Sequence, residues 1–433
     1  MSEGKGLKVL VSAFAFSPVR GSEFAMGWDY VRALAEHHRV WVITRTSERE
    51  ETEQFLRCHP GAMPQVTLHT VPWSRSSFAY PLHEIPYYFL FRQWQWRAYL
   101  LARRLDEQIG FDVIHQAIPS GFREPGFLWK IDKPFVWGPV GGLQYFPLRL
   151  LPAVPLRSWP FFVAKNLTTF WAMHASARPR AAAAKAAQIL AGTSLAAENI
   201  GALWGKPARV LCEVSAPRLD SFAPPARRQA GDVFRIVWSG RFEPRKALNL
   251  VLRALHRLRE ANFAWELTCL GTGPLRQTWE TLARRLGIAS RCRFLGQCPR
   301  QQAVAAMAGG HCFVQPSLYD ATTSVVVEAL AMGLPVVCLD HFGFRDVVDA
   351  NSGIRIRPGS VNQIIGDFAA ALQSLAHNED ARHAMALAAR AASLRLTWTH
   401  KAAALAEVYG RIAAAGSHAD ANAETGNLSS GRR

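Results

Sequence analysis

Four side chains in the second half of the chain could do chemistry together. Arg241 and Lys246 stand five residues apart in SGRFEPRK, and Asp320 and Glu328 stand eight apart in SLYDATTSVVVEALAMG. Arg can grip a phosphate through two parallel hydrogen bonds while Lys supplies a mobile point charge, so the first pair suits a diphosphate. VVVEALAM is apolar on every side except at Glu328. A buried carboxylate costs several kcal/mol unless it gains partners, so Glu328 should face a cleft and hold hydroxyls or a cation. A diphosphate beside sugar hydroxyls describes a sugar nucleotide. Taken singly, each feature has a plainer explanation: a solvated basic turn for Arg241 and Lys246, and a structural ion pair with some arginine for Glu328.

The elements that must position these residues are strands alternating with helices. VFRIVWSG runs into the Gly240–Lys246 loop, and LNLVLRALHRLRE follows at helical spacing. WELTCLG leads to the turn GTGPL, where Gly271 and Gly273 allow close backbone approach. RCRFLG, CFVQPSL and PVVCLD continue the alternation, with helices between them. Thr322, Thr323 or Ser324 can begin the helix that carries Glu328, presenting free backbone N–H groups to an anion, and Gly333 ends it. Strands separated by helices of this length imply a parallel sheet covered on both faces, with ligands at its carboxyl edge.

The first half repeats the scheme. LKVLVSAFAF enters the loop SPVRGSEFAMG, which holds Gly21 and Glu23, and then a helix and the strand RVWVITR. FDVIHQ, PFVWGPVGG, QILAGTS and RVLCEVSA read as further strands. His115 ends the first of these on the side expected to face the cleft, or is a strand histidine satisfied by backbone, and Glu23 could meet an acceptor or simply favour the dipole of its own helix. The loop lacks G-x-G-x-x-G spacing, which argues against a dinucleotide-dependent dehydrogenase. Two such sheets in 433 residues mean two Rossmann-like α/β domains facing across a cleft. The expected limits are 1–218 for an acceptor-binding domain, 219–232 for a linker, and 233–395 for a nucleotide-sugar-binding domain. A helix over 396–415 crosses back, and a small, polar, disordered tail fills 416–433.

These motifs resemble the retaining glycosyltransferases of family 4 (glycosyl transferases group 1), whose fold is GT-B, over nearly the whole chain. The likeness rests on the GSE loop, GRFEPRK, LGTGPL, RFLGQ, PSLYD with Glu328, and the terminal segment from Trp398 to Tyr409. It implies that Glu328 holds the nucleotide ribose, that Asp320 contacts the transferred sugar, and that Arg241 and Lys246 hold the diphosphate. His115 becomes a candidate contact to the donor sugar, with Gly21, Gly240, Gly271, Gly273 and Thr322 to Ser324 completing the donor site. Asp320 stands where the family usually has Glu, Ala321, Thr322 and Thr323 replace Gly-Phe-Gly, and Ala247 replaces a Gly. The shorter acid reaches about 1.5 Å less, which bears on donor choice.

The implied function is retaining, metal-independent transfer of a sugar from a nucleotide-diphosphate donor to a hydroxyl of a lipid-linked or glycan acceptor, in cell-surface polysaccharide biosynthesis. No cofactor is expected, and no Asp-x-Asp metal motif occurs. The rivals are a sugar-nucleotide epimerase or phosphorylase of similar build, a catalytically weak sugar-nucleotide binder, and a basic nucleic-acid-binding protein. The formal charge of +17 keeps the last in view, but an acid in the apolar helix around Glu328 would repel phosphate.

Residues 133–197 hold seven Lys or Arg and no Asp or Glu, interleaved with Trp137, Phe146, Trp159, Phe161, Phe162, Phe170 and Trp171. IPYYFLFRQWQWRAYLLARRL upstream mixes the same residue types. Aromatics with cations suit the interface of an anionic bilayer, so peripheral membrane binding through the first domain is expected, although Trp137 reads as core. With no apolar run of about 18 residues and no signal-peptide pattern, a cytoplasmic protein on the inner face of the membrane is expected. The seven scattered cysteines read as reduced.

Overall fold

A computed structural model of the chain describes residues 6–21, 23–73, 84–217, 219–229 and 231–429, with side chains excepted at 84–87 and 416–429. Ser22 of the GSE loop, part of the expected linker and residues 430–433 lie outside the described residues.

The first sheet contains β1 (Lys8–Ala13), β2 (Arg39–Arg45), β3 (Val66–Val71), β4 (Val113–Ile118), β5 (Phe135–Val140), β6 (Gln188–Ala191) and β7 (Ala208–Val210). Its order is β3-β2-β1-β4-β5-β6-β7, and its strands pair in parallel. Around it lie α1 (Glu23–Ala35), α2 (Arg49–Cys58), α3 (Glu84–Ile109), α4 (Trp159–Ala175), α5 (Ala177–Lys185) and α6 (Ser194–Trp204). The second sheet, ordered β10-β9-β8-β11-β12-β13, is built from β8 (Phe234–Ser239), β9 (Trp265–Leu270), β10 (Cys292–Gly296), β11 (Cys312–Gln315), β12 (Val336–Leu339) and β13 (Gly353–Ile356). Its helices are α7 (Leu248–Arg257), α8 (Arg276–Arg285), α9 (Arg300–Ala308), α10 (Ser324–Ala331), α11 (Phe344–Val347), α12 (Val361–His377) and α13 (Glu379–Ser393). α14 (Trp398–Ser429) is the last element of the described residues.

Both sheets follow the logic of covered parallel sheets. β11 and β12 are buried at every position, because helices hide both faces. Periodicity foretold the central strands and passed over β3 and β13, which lie at sheet edges where VTLHTV and GIRI carry mixed polarity. The arrangement of two facing parallel sheets is the GT-B architecture.

Two features depart from a simple division at residue 218. Phe146, Leu150, Ala153, Val154 and Phe162 join the hydrophobic core of the second sheet, beside Trp238, Leu248 and Phe368. The Asn249 side-chain amide donates to the Ala153 carbonyl at 2.9 Å, fixing this excursion. The stretch after β5 is too apolar to cover only its own domain, and the neighbouring sheet completes its burial. In the other direction, Trp398, Ala402, Leu405, Val408 and Tyr409 of α14 pack into the core formed by β1 and α1. α14 continues to Ser429, where composition alone had suggested a disordered tail.

The aromatic-rich stretch is thereby sorted. Trp137 is core and stacks on Trp204 at 5.4 Å, Phe146 and Phe162 serve the second sheet, and Phe161, Phe170 and Trp171 face solvent. Among the described residues no helix is long and apolar enough to cross a membrane, and all seven cysteines are free.

Candidate functional site

The β8–α7 loop is held from behind. Phe242 is buried against Trp238 at 4.9 Å and Trp279 at 5.3 Å, which pins the loop to its domain. Gly271, at φ 109°, lies where a Cβ would fall 2.1 Å from the Gly240 carbonyl oxygen, and a Cβ at Gly273 would fall 2.7 Å from the Phe242 nitrogen. These two glycines were expected in the donor site itself. They instead form the layer behind it, where a missing side chain lets one loop lie on the other. Ala247, where a glycine was expected, takes a left-handed conformation at φ 44°, strained by roughly 1 kcal/mol for a residue with a Cβ.

From this scaffold the cations project towards Asp320, which follows β11. The Lys246 Nζ lies 2.7 Å from Asp320 Oδ2 and is nearly buried. Arg245 closes on the other carboxylate oxygen and also pairs with Glu243 at 3.1 Å. Arg241 is 71% exposed, with its guanidinium 2.9 Å from Glu243. Burial lowers the Lys246 pKa from its ordinary 10.5, and the attraction of Asp320 does not make up the loss. Lys246 is therefore a buried cation, and it shares the Asp320 carboxylate with Arg245.

α10 supplies the opposite half. Thr323 stands at its N-cap, but the Thr323 hydroxyl accepts from the Gln315 amide at 3.0 Å and does not cap the helix. The N-terminal N–H groups, lacking a side-chain cap, point their positive dipole end at the same space as Lys246. Glu328 lies just over one turn into α10. Burial raises its carboxyl above 4.5, opposed only in part by Arg300. That arginine is 3.6 Å away and 76% exposed, so the pair is long and screened by solvent.

Arg241, Lys246, Asp320 and Glu328 thus line one cleft of about 1170 Å³, together with Gly240, Thr322, Thr323 and Ser324. The facing wall comes from the first domain: Gly21, Glu23, Ser120 and Glu213. Burial raises the carboxyl pKa of Glu23 and of Glu213. Glu213, Arg245 and Arg300 were not foreseen. Glu213 carried the signal used for Glu328, one acid inside the apolar run RVLCEVSA, whereas nothing in the sequence set Arg245 apart from Arg241.

His115 does not face the cleft. It is fully buried, and its Nε2 donates to the Gly138 carbonyl at 2.6 Å while the Tyr409 hydroxyl of α14 closes on Nδ1. Burial lowers its pKa to about 4, so the ring stays neutral. Of the two readings of His115 this is the backbone-satisfied one, and the cleft-facing one fails because the parity of β4 turns this side chain into the layer covered by α1 and α14.

Residues 223–392, within the second domain, match the family described as Glycosyl transferases group 1. The chain is 31% identical over 189 residues to the phosphatidyl-myo-inositol mannosyltransferase of Mycobacterium leprae, covering 42% of this chain and 48% of that one. It is 28% identical over 226 residues to the sulfoquinovosyl transferase SQD2 of Arabidopsis thaliana, covering 51% and 41%. The matched segment spans less than half of either relative. Solved structures of the same fold include sucrose-phosphate synthase from Thermosynechococcus elongatus, with TM-score 0.64, 16% identity, and 94% of this chain and 100% of that one covered. Another is HepE of Anabaena in complex with UDP, with TM-score 0.59, 16% identity, and coverage of 94% and 100%.

Proposed function

We propose that the protein is a retaining glycosyltransferase that moves a sugar from a nucleoside-diphosphate donor to a hydroxyl of a lipid-linked or glycan acceptor. The observation that carries this reading is the convergence of a buried cation, Lys246, that shares its carboxylate partner with Arg245, an uncapped helix N-terminus at Ser324 and a cleft-facing acid, Glu328, on one cavity. The first two suit a diphosphate and the third suits ribose hydroxyls. Breaking the bond between the anomeric carbon and the phosphate oxygen leaves negative charge on the departing diphosphate. Lys246, Arg241 and the α10 dipole can stabilise that charge, so the reaction needs no metal for this purpose. The donor is a substrate, and no cofactor is invoked.

The acidic wall of Glu23 and Glu213 suits hydroxyl groups of an acceptor and disfavours nucleic acid. The relative named phosphatidyl-myo-inositol mannosyltransferase supports a lipid acceptor. We place the enzyme on the cytoplasmic face of a membrane, in cell-surface polysaccharide assembly.

The test is a thermal-shift screen against sugar nucleotides, followed by release of free nucleoside diphosphate with and without candidate acceptors. Release that requires acceptor supports transfer. Release without acceptor, or no shift with any sugar nucleotide, overturns it. One observation favours a weak binder as the second reading: the Asp320 carboxylate is already held by Arg245 and Lys246. Donor binding with no turnover on any acceptor would select it.

A further inference from the structure

α4 is inverted relative to an ordinary surface helix. Phe162, Thr169 and Met173 are its buried residues, while Phe161, Val163, Leu167, Phe170 and Trp171 point outward. Leu167 is 60% exposed and Trp171 69% exposed, and Leu156 just before the helix is 71% exposed. A surface helix normally turns its apolar stripe inward, and a contiguous apolar face left outside marks an interaction surface.

The inner side is firmly anchored. Asn166 donates to and accepts from the Phe146 backbone at 2.8 Å, and Arg123 donates to the Thr169 hydroxyl at 2.7 Å. Lys165 lies over the Tyr319 ring at 4.9 Å. The outer face is therefore a fixed feature of the fold and not a frayed element.

Charge identifies what covers it. No Asp or Glu occurs from Lys133 to Ile200 except Glu198, and Arg149, Arg157, Arg180 and Lys185 are exposed around the helix. A second copy docked through this face would set Arg149, Arg157, Arg180 and Lys185 against their own copies, with no acid in α4 or its flanks to offset them. A nucleic acid would satisfy the cations and leave the apolar ridge in water. An anionic lipid surface satisfies both, with rings and Leu167 at acyl depth and guanidinium groups at phosphate level. We infer that α4 is an in-plane membrane-binding helix, about 25 Å long, that docks the protein on anionic lipid through Leu156, Phe161, Val163, Leu167, Phe170 and Trp171. This surface is independent of the cleft chemistry. Because Lys165 on its inner side touches Tyr319, next to Asp320, docking would also bring the donor-site loop close to the bilayer.

Co-sedimentation with phosphatidylcholine vesicles, with and without phosphatidylglycerol, tests this. The protein should be retained on the anionic vesicles at low salt and partly released at high salt. Leu167→Glu/Trp171→Glu should lower the partition coefficient by at least about tenfold, and Arg149→Glu/Arg157→Glu should lower it on anionic vesicles selectively. Both variants should keep the parent melting temperature and the parent thermal shift with sugar nucleotide, since these positions lie outside the cleft. If the first variant unfolds, Leu167→Ser/Phe170→Ser gives the same reading with a smaller change. Failure of the parent protein to bind anionic vesicles at low salt overturns the inference, as does binding by the variants equal to the parent. A dimer in sedimentation velocity that Leu167→Glu/Trp171→Glu abolishes, with no vesicle binding, would instead assign the face to self-association.

Discussion

Replacing Lys246 by Met separates folding from function, because the two respond oppositely to the same charge. Removing one partner of a buried pair ordinarily costs about 3–5 kcal/mol, since the other charge is stranded. Here Asp320 keeps Arg245. Lys246 itself is held in the folded state with its pKa lowered, first by burial, against the raising effect of Asp320. Between that lowered value and its ordinary 10.5 the unfolded chain binds more protons, so stability rises with pH through this window, and below it the charged lysine works against folding. Met keeps the apolar stem and removes the charge, so the unfolding free energy should stay within about 1 kcal/mol of the parent. A diphosphate, by contrast, meets a buried cation whose carboxylate partner is shared with Arg245. Losing that contact should lower kcat/KM by roughly two to three orders of magnitude, about 3–4 kcal/mol. Urea unfolding beside acceptor-dependent release of nucleoside diphosphate reads both quantities. A stability loss of about 3 kcal/mol or more with kcat/KM kept within about tenfold would refute the reasoning and leave Lys246 as a structural ion-pair partner.

Glu328→Gln, which keeps the shape and removes the charge-assisted acceptor, should weaken nucleoside-diphosphate binding by roughly 10- to 100-fold in calorimetry. Unchanged affinity would assign Glu328 to its contact with Arg300. Glu213, raised by burial, gives stability in its protonated form that is lost as pH rises from 4.5 through the folded value, so Glu213→Gln should stabilise the free protein at pH 7 by about 1 kcal/mol, roughly 2–4 °C in Tm, by differential scanning calorimetry. His115→Ala should cost about 2–4 kcal/mol of stability and leave donor binding intact, because the ring ties β4 to Gly138 and α14 outside the cleft. With its folded pKa at about 4 and its ordinary value at 6.5, His115 supports folding above pH 6.5 and withdraws that support as pH falls towards 4, so the variant should lose part of the parent's acid sensitivity in that range, as followed by circular dichroism.

Much of the site was legible in the sequence because its signals are local. A lone acid in an apolar helix must find partners wherever the helix goes, which marked Glu328 and would equally have marked Glu213. Basic residues between a strand and a helix fall at the carboxyl edge of a parallel sheet by topology alone, which marked Arg241 and Lys246. The alternation of strand and helix likewise determined two parallel sheets and the positions of their central strands. What tertiary structure alone decided is which groups meet. Arg245 and not Arg241 shares Asp320 with Lys246, because a one-turn helix and a left-handed Ala247 rotate the loop. His115 is turned to the core because α14, nearly 300 positions later in the chain, covers that face of β4. Phe146 and Phe162 belong to the second sheet while Phe170 and Trp171 belong to the surface, although composition treats all four alike. Periodicity reports which side of an element is apolar, but the partner that buries that side, or leaves it open, is fixed only when distant segments pack.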